Sequence, residues 1–169
     1  MPTFINPATD ATGGDDTIIF NAPWQQPTTV DALGGNDHLI VQIDSDSPIT
    51  IDASDEFDAG YFNLDIRIDP FSPLYVFNVE TIELHGTDHD DFFSLRIGPS
   101  SSALNAIMDG GAGQGVLAFN WSKLTTGMSF VVSGTTITSG FGTFANYETL
   151  GIRSGSGNSG EPKGRSVSA

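Results

Sequence analysis

The residues with the most chemical potential are aspartates set just after pairs of glycines. Gly13-Gly14-Asp15-Asp16-Thr17-Ile18-Ile19-Phe20 and Gly34-Gly35-Asn36-Asp37-His38-Leu39-Ile40-Val41 share one form: two glycines, a polar residue, an aspartate, then an apolar strand. Glycine gives a sharp bend its backbone freedom and lets carbonyl oxygens turn inward, while the aspartate adds a carboxylate oxygen. These are the hard donors that suit calcium. The same residues are also ordinary turn formers, in which an Asp side chain accepts hydrogen bonds from nearby backbone with no ion present. Two further stretches keep part of the form. Gly86-Thr87-Asp88-His89-Asp90-Asp91-Phe92-Phe93 retains the first glycine and the aspartate, whereas Gly110-Gly111-Ala112-Gly113-Gln114-Gly115-Val116-Leu117 retains the glycines but has Gly115 where the carboxylate belongs. The candidate metal ligands are therefore Asp16 and Asp37 first, then Asp91, Asp10, Asp31, Asp15, Asn36, Asp88, Asp90 and Asp109.

Other constellations are weaker. His85 and His89 beside Asp88, Asp90 and Asp91 offer imidazole and carboxylate, but no second histidine pair closes a tetrahedron, so they read as solvated loop residues. Asp44 with Asp46 and Asp52 with Asp55 have the pairing that acid–base work on a sugar requires, yet in so acidic a chain they read as surface charge. No nucleophile elbow, phosphate loop or zinc protease signature is present, and a non-catalytic chain is expected. Trp24, and Tyr61, Phe62, Phe71 and Tyr75 in the segment 54–75, are candidate ligand contacts that could stack on sugar rings or dock a partner; the plainer expectation is that they cover core under a long loop.

The charge distribution bears on partners. Against 21 Asp and Glu stand 6 Lys and Arg, a formal net charge of −15, and eighteen of the acids lie between Asp10 and Asp91. Such a surface repels phosphate backbones and anionic lipid, which argues against nucleic acid, and it resists compaction unless the carboxylates find cations. There is no cysteine, and no apolar stretch is long enough for a membrane-spanning helix. Met1 to Gly14 has neither a basic n-region nor an apolar h-region, so export, if it occurs, is expected to use another signal, or the chain to be part of something larger.

The elements that must position these residues are short strands. Thr17–Phe20, His38–Ile43, Ile49–Ile51, Phe92–Ile97, Val116–Trp121, Met128–Val132 and Thr135–Thr138 are β-branched or aromatic runs bounded by Gly, Asp, Ser or Pro. Helix is confined to at most one or two turns within 101–108. An internal duplication is visible, spanning 31–95 and 109–159. Phe77-Asn78-Val79-Glu80-Thr81-Ile82-Glu83-Leu84 matches Ala145-Asn146-Tyr147-Glu148-Thr149-Leu150-Gly151-Ile152 at a shift of 68, and the bend at Asp31 matches that at Asp109. Each copy runs from a Gly-rich bend to an Asn-x-Glu-Thr strand. The first copy is longer, with its extra residues within 54–75, where Pro70 and Pro73 argue against a central strand. Residues 1–153 are expected to form one module and 154–169 a flexible Gly/Ser-rich tail.

The glycine–aspartate–strand order resembles the RTX (repeats-in-toxin) nonapeptide family, G-G-x-G-x-D-x-U-x. Gly14, Asp16 and Ile18, and Gly35, Asp37 and Leu39, fall at its fourth, sixth and eighth places, while Ala11-Thr12 and Ala32-Leu33 replace its first two glycines. The resemblance covers roughly residues 10–159. It implies a right-handed parallel β-solenoid in which calcium lies between bends stacked one coil apart, folding on extracellular calcium after type I secretion. On that geometry 10–16 pairs with 31–37, and 88–91 with the bend at Asp109. The expected localisation is secreted or on the bacterial cell surface, with calcium as the ion and polysaccharide or a surface protein as a further partner. The alternatives are a glycan-binding or adhesin module using the aromatics of 54–75, or a targeting module appended to a secreted enzyme.

Overall fold

The computed structural model describes residues 3–5, 11–22, 27–54, 63–69, 73–98, 105–121, 130–153 and 166–168. Within them the chain is all-β, without helix, in two mixed sheets of eight strands each. In chain order the strands of the first half are β1 (Thr3–Ile5), β2 (Thr17–Asn21), β3 (Thr28–Asp31), β4 (His38–Gln42), β5 (Thr50–Ser54), β6 (Asn63–Asp69), β7 (Leu74–Phe77) and β8 (Thr81–His85). The second half holds β9 (Phe92–Arg96), β10 (Asn105–Asp109), β11 (Val116–Asn120), β12 (Phe130–Ser133), β13 (Thr136–Ser139), β14 (Gly142–Ala145), β15 (Thr149–Arg153) and β16 (Ser166–Ser168).

Sheet one has the order β1-β2-β4-β8-β10-β14-β13-β12, and sheet two β16-β15-β11-β9-β5-β6-β7-β3. From β1 to β14 the sheet-one pairs are parallel, as are β5-β9-β11-β15 and β3-β7 in sheet two. The chain repeatedly leaves one sheet for the other and returns, so bends collect along two edges. Because parallel neighbours are in register, like positions stack. Ile18, Leu39, Ile82 and Ala106 form one inward row of sheet one, and Phe20, Val41, Leu84, Met108 and Phe144 the next. Ile51, Phe93, Leu117 and Leu150 do the same in sheet two. All of these are buried in one core shared by both inner faces. Alternation of apolar and polar residues at period two makes this possible, since each strand sends every second side chain inward.

Uniform parallel winding, expected from the sequence, is interrupted in three places. β6 runs antiparallel between β5 and β7, β13 antiparallel between β12 and β14, and β16 antiparallel to β15. The first interruption corrects the reading of 54–75, because β6 is a central strand. The two prolines fall outside the strands: β6 ends at Asp69 before Pro70, and β7 begins at Leu74 after Pro73. The last involves Ser166–Ser168, which pairs antiparallel with β15. Residues 105–109 are strand β10, not helix; Ala106 and Met108 point inward at period two between β8 and β14, and this packing overrides weak local preference. The Asn-x-Glu-Thr stretches are also not continuous strands. Asn78 (φ 56°) and Asn146 (φ 58°) adopt left-handed backbone and turn the chain from one sheet to the other, a conformation Asn tolerates better than most residues.

At the β12 end of the stack the core closes on aromatic rings. Phe119 meets Phe144, Phe130 and Trp121 edge-on at centroid distances of 5.3, 5.4 and 5.6 Å. Phe119→Ala should remove the ring common to all three contacts and cost about 4 kcal/mol, measured by urea unfolding, with the secondary structure retained.

Candidate functional site: the two acid-lined edges

Strands β2, β4 and β8 of sheet one each start from a bend, and these bends lie along one edge: 12–16, 31–37 and 78–80. Strands β9, β11 and β15 of sheet two start from 87–91, 109–115 and 146–148. Sheet-one strands finish where sheet-two strands begin, so this second group lies along the opposite edge. The bends that the duplication matches, 31–37 and 78–80 in the first copy and 109–115 and 146–148 in the second, therefore stand on opposite edges.

Close approach explains the glycines. Gly35 (φ 142°) sits directly on the bend before it, where an added Cβ would come 2.6 Å from the Gly14 carbonyl carbon. Its counterpart Gly113 lies in the same way on His89 and Asp90. Backbones in such contact leave the buried N–H groups to be satisfied from the neighbouring bend.

Aspartate carboxylates supply that satisfaction. On the first edge Asp16 N–H donates to Asp37 Oδ1 at 2.7 Å, and Asp37 N–H donates to Glu80 Oε2 at 2.8 Å. The Asp16 carboxylate turns to its own bend, accepting from Thr12 N at 2.6 Å and from the Thr12 hydroxyl. On the second edge Asp91 accepts from Thr87 N at 2.5 Å, from the Thr87 hydroxyl and, at 2.8 Å, from Ile49 N of the preceding bend. Asp16, Asp37 and Asp91 are 0%, 1% and 1% exposed. Buried carboxylates are tolerated because N–H and O–H groups replace their water.

The outer residues of the bends also pair between levels. Asp15 accepts from Asn36 N and Asp90 from Gln114 N. Asp31 accepts from Leu33 N and from Asn78 Nδ2; Asp109 accepts from Gly111 N and from Asn146 Nδ2, both amide bonds being 2.7 Å. Asp88 is exposed, and no hydrogen bond of its carboxylate is among those described. Of the other sequence candidates, Tyr75 is half-buried on β7, while Asp10, Trp24, Tyr61, Phe62 and Phe71 lie outside the described residues.

The two edges differ at one place in a coordinated manner. Asp37 is matched by Gly115, and Val79 by Tyr147. An added Cβ on Gly115 would come within 3.1 Å of the Tyr147 ring, so the phenol fills room that a side chain at 115 would need. Burial pushes the Tyr147 phenol far above its usual range, and the charges of Asp109 and Asp91 push the same way. Glu148 Oε2, the counterpart of the Glu80 oxygen that holds Asp37 N–H, is buried without a hydrogen-bond partner. On the first edge the unpartnered atom is instead Asp37 Oδ2. Burial raises the Asp37 carboxyl above its ordinary range; the Asp16 N–H opposes this, and the charges of Glu80, Asp16 and Asp15 reinforce it.

Histidines do not gather at either edge. His85 Nε2 lies 2.6 Å from Glu83 Oε1, His38 Nε2 lies 3.0 Å from Glu83 Oε2, and His89 faces Thr87. Among the described residues no group of three or more Asp, Glu or His side chains forms a ready metal cage. Calcium there would have to draw some of its oxygens from the backbone, as it commonly does. Sequence reasoning missed Glu80 and the threonines Thr12 and Thr87; the latter were open to discovery, since both stand four residues before their aspartates.

No family model, curated protein or solved structure matches this chain.

Asp91→Ala should cost about 3 kcal/mol in urea unfolding, because two backbone donors lose their acceptor inside the fold. Asp37 works in the opposite sense. Its raised value means that the native state binds its proton before the unfolded state does, so stability from this group is present at low pH and is lost as pH rises from the ordinary carboxylate range through the raised value. In metal-free solution the wild-type chain should lose stability relative to Asp37→Asn across that window, measured as the difference between their urea midpoints against pH.

Proposed function

We propose that this chain is a non-catalytic, calcium-binding module of the secreted RTX type, a right-handed parallel β-solenoid in its central coils, and that its ion belongs to the edge formed by Asp16, Asp37 and Glu80. The observation that carries the reading is Asp37 Oδ2. It is a buried carboxylate oxygen with no donor, in a bend whose neighbouring charges are Asp15, Asp16 and Glu80, all of one sign. A proton or a cation resolves such an arrangement, and at neutral pH a hard divalent cation does so without protonating an acid.

The consequence for folding follows from where the acids stand. They link the bends 12–16, 33–37 and 78–80, which are far apart in the chain, so an ion bound among them favours only the stacked state. Binding free energy then becomes folding free energy, and the module condenses where calcium is plentiful, as outside the cell. The charge asymmetry supports the choice of edge, since the second copy replaces Asp37 with Gly115 and fills the space with Tyr147.

Thermal unfolding in chelator, magnesium and calcium tests this. Calcium at about a hundred times its dissociation constant should add about 2.7 kcal/mol, or about 5 to 10 °C in Tm for a chain of this size, and magnesium much less. Asp37→Asn should abolish most of the calcium increment while Asp109→Asn retains it. Equal shifts from calcium and magnesium, or a full calcium shift in Asp37→Asn, would overturn the proposal.

A further inference from the structure

We propose that β12 is the contact strand of a symmetric dimer, in which a second copy of this chain adds its own β12 antiparallel to the end of sheet one. β12 is the last strand of that sheet, paired with β13 on one side and with no described strand on the other. Its sequence is Phe-Val-Val-Ser, with Val131 64% and Val132 50% exposed. Edge strands are ordinarily protected by charge, proline or a bulge, and this one has neither a charge nor a proline. Val132 stands opposite Ile137, a core residue, and is itself half exposed, so the inner face of the end strand is partly uncovered.

Register and charge identify the occupant. With Val131 opposite Val131 of the second copy, inward residues meet inward residues: Phe130 faces Val132 of the copy, and Val132 faces its Phe130. The two cores then become continuous, whereas a shift of one residue would set the inner face of one copy against the outer face of the other. Electrostatics selects the same end. Residues 1–109 hold nineteen of the 21 acids and two of the basic residues, Arg67 and Arg96, for a formal −17. Among the described residues beyond 109 the charged ones are Glu148 and Arg153, which cancel. Two copies of so acidic a chain repel one another everywhere except across this near-neutral end, and pairing through β12 keeps the acidic parts apart.

Sedimentation velocity over a concentration series, with calcium present throughout, reads the outcome. The wild-type chain should pass from monomer to dimer and stop there, and added salt should strengthen the dimer by screening net repulsion. Val131→Lys places like charges opposite each other at the two-fold and should weaken dimerisation at least about tenfold, although it lowers the net negative charge; Val131→Thr, which keeps the β-branched shape, should retain it. Val131 is exposed, so unchanged melting of the lysine variant separates loss of contact from loss of fold. A chain that stays monomeric at every concentration, a dimer indifferent to Val131→Lys, or open-ended growth that salt dissolves, as head-to-tail charge attraction between copies would give, each overturns the proposal.

Discussion

The structure depends on the donation of a backbone N–H in one bend to a carboxylate from the next. Stacking the bends closely enough for glycine to be required at Gly35 and Gly113 shuts water away from the peptide groups. Those groups then need acceptors of the right reach, and carboxylates on short side chains just before the strands, Asp37 for Asp16 N and Asp91 for Ile49 N, provide them. The same act buries the acids. A carboxylate inside the fold is acceptable while donors surround it, and becomes a source of tension where one oxygen lacks them, as at Asp37.

The duplication shows what such an edge can and cannot change. Each copy keeps the Asp–Asn clasp, Asp31 with Asn78 and Asp109 with Asn146, and each keeps a carbonyl at the strand start that accepts two successive N–H groups: Asp37 O from Glu80 and Thr81, Gly115 O from Glu148 and Thr149. Leu33 (φ 70°) holds on the first edge the left-handed backbone that Gly111 (φ 79°) holds on the second. What differs is the buried acid, and its loss at Gly115 is accompanied by the larger ring at Tyr147. Backbone geometry is thus common to both edges, while at this one matched position the first edge carries an acid and the second a glycine.

Much of this is legible in the sequence. Period-two alternation in stretches such as His38–Gln42 and Val116–Asn120 marked inward rows, and the Gly-Gly-x-Asp order marked where bends would meet. Three features were obscure for a physical reason. β10 is short and rich in residues of weak preference, so only its neighbours make it a strand. β6 lies antiparallel between β5 and β7, an orientation that its own seven residues do not encode. Glu80 looked like part of a strand, and it acts as the acceptor for Asp37 only because Asn78 turns the chain.

Taken alone, the amino-acid sequence determined the all-β character, the identities of the bends, the repetition of the bend and strand pattern, and the concentration of acid in the first two-thirds of the chain, because these are local properties of residue type and period. Tertiary structure decided which bends stack, that the matched bends of the two copies stand on opposite edges, which donor each carboxylate takes, and which apolar strand is left at the end of a sheet. Those outcomes join residues 21 to 47 positions apart, and no local preference specifies a partner at that separation.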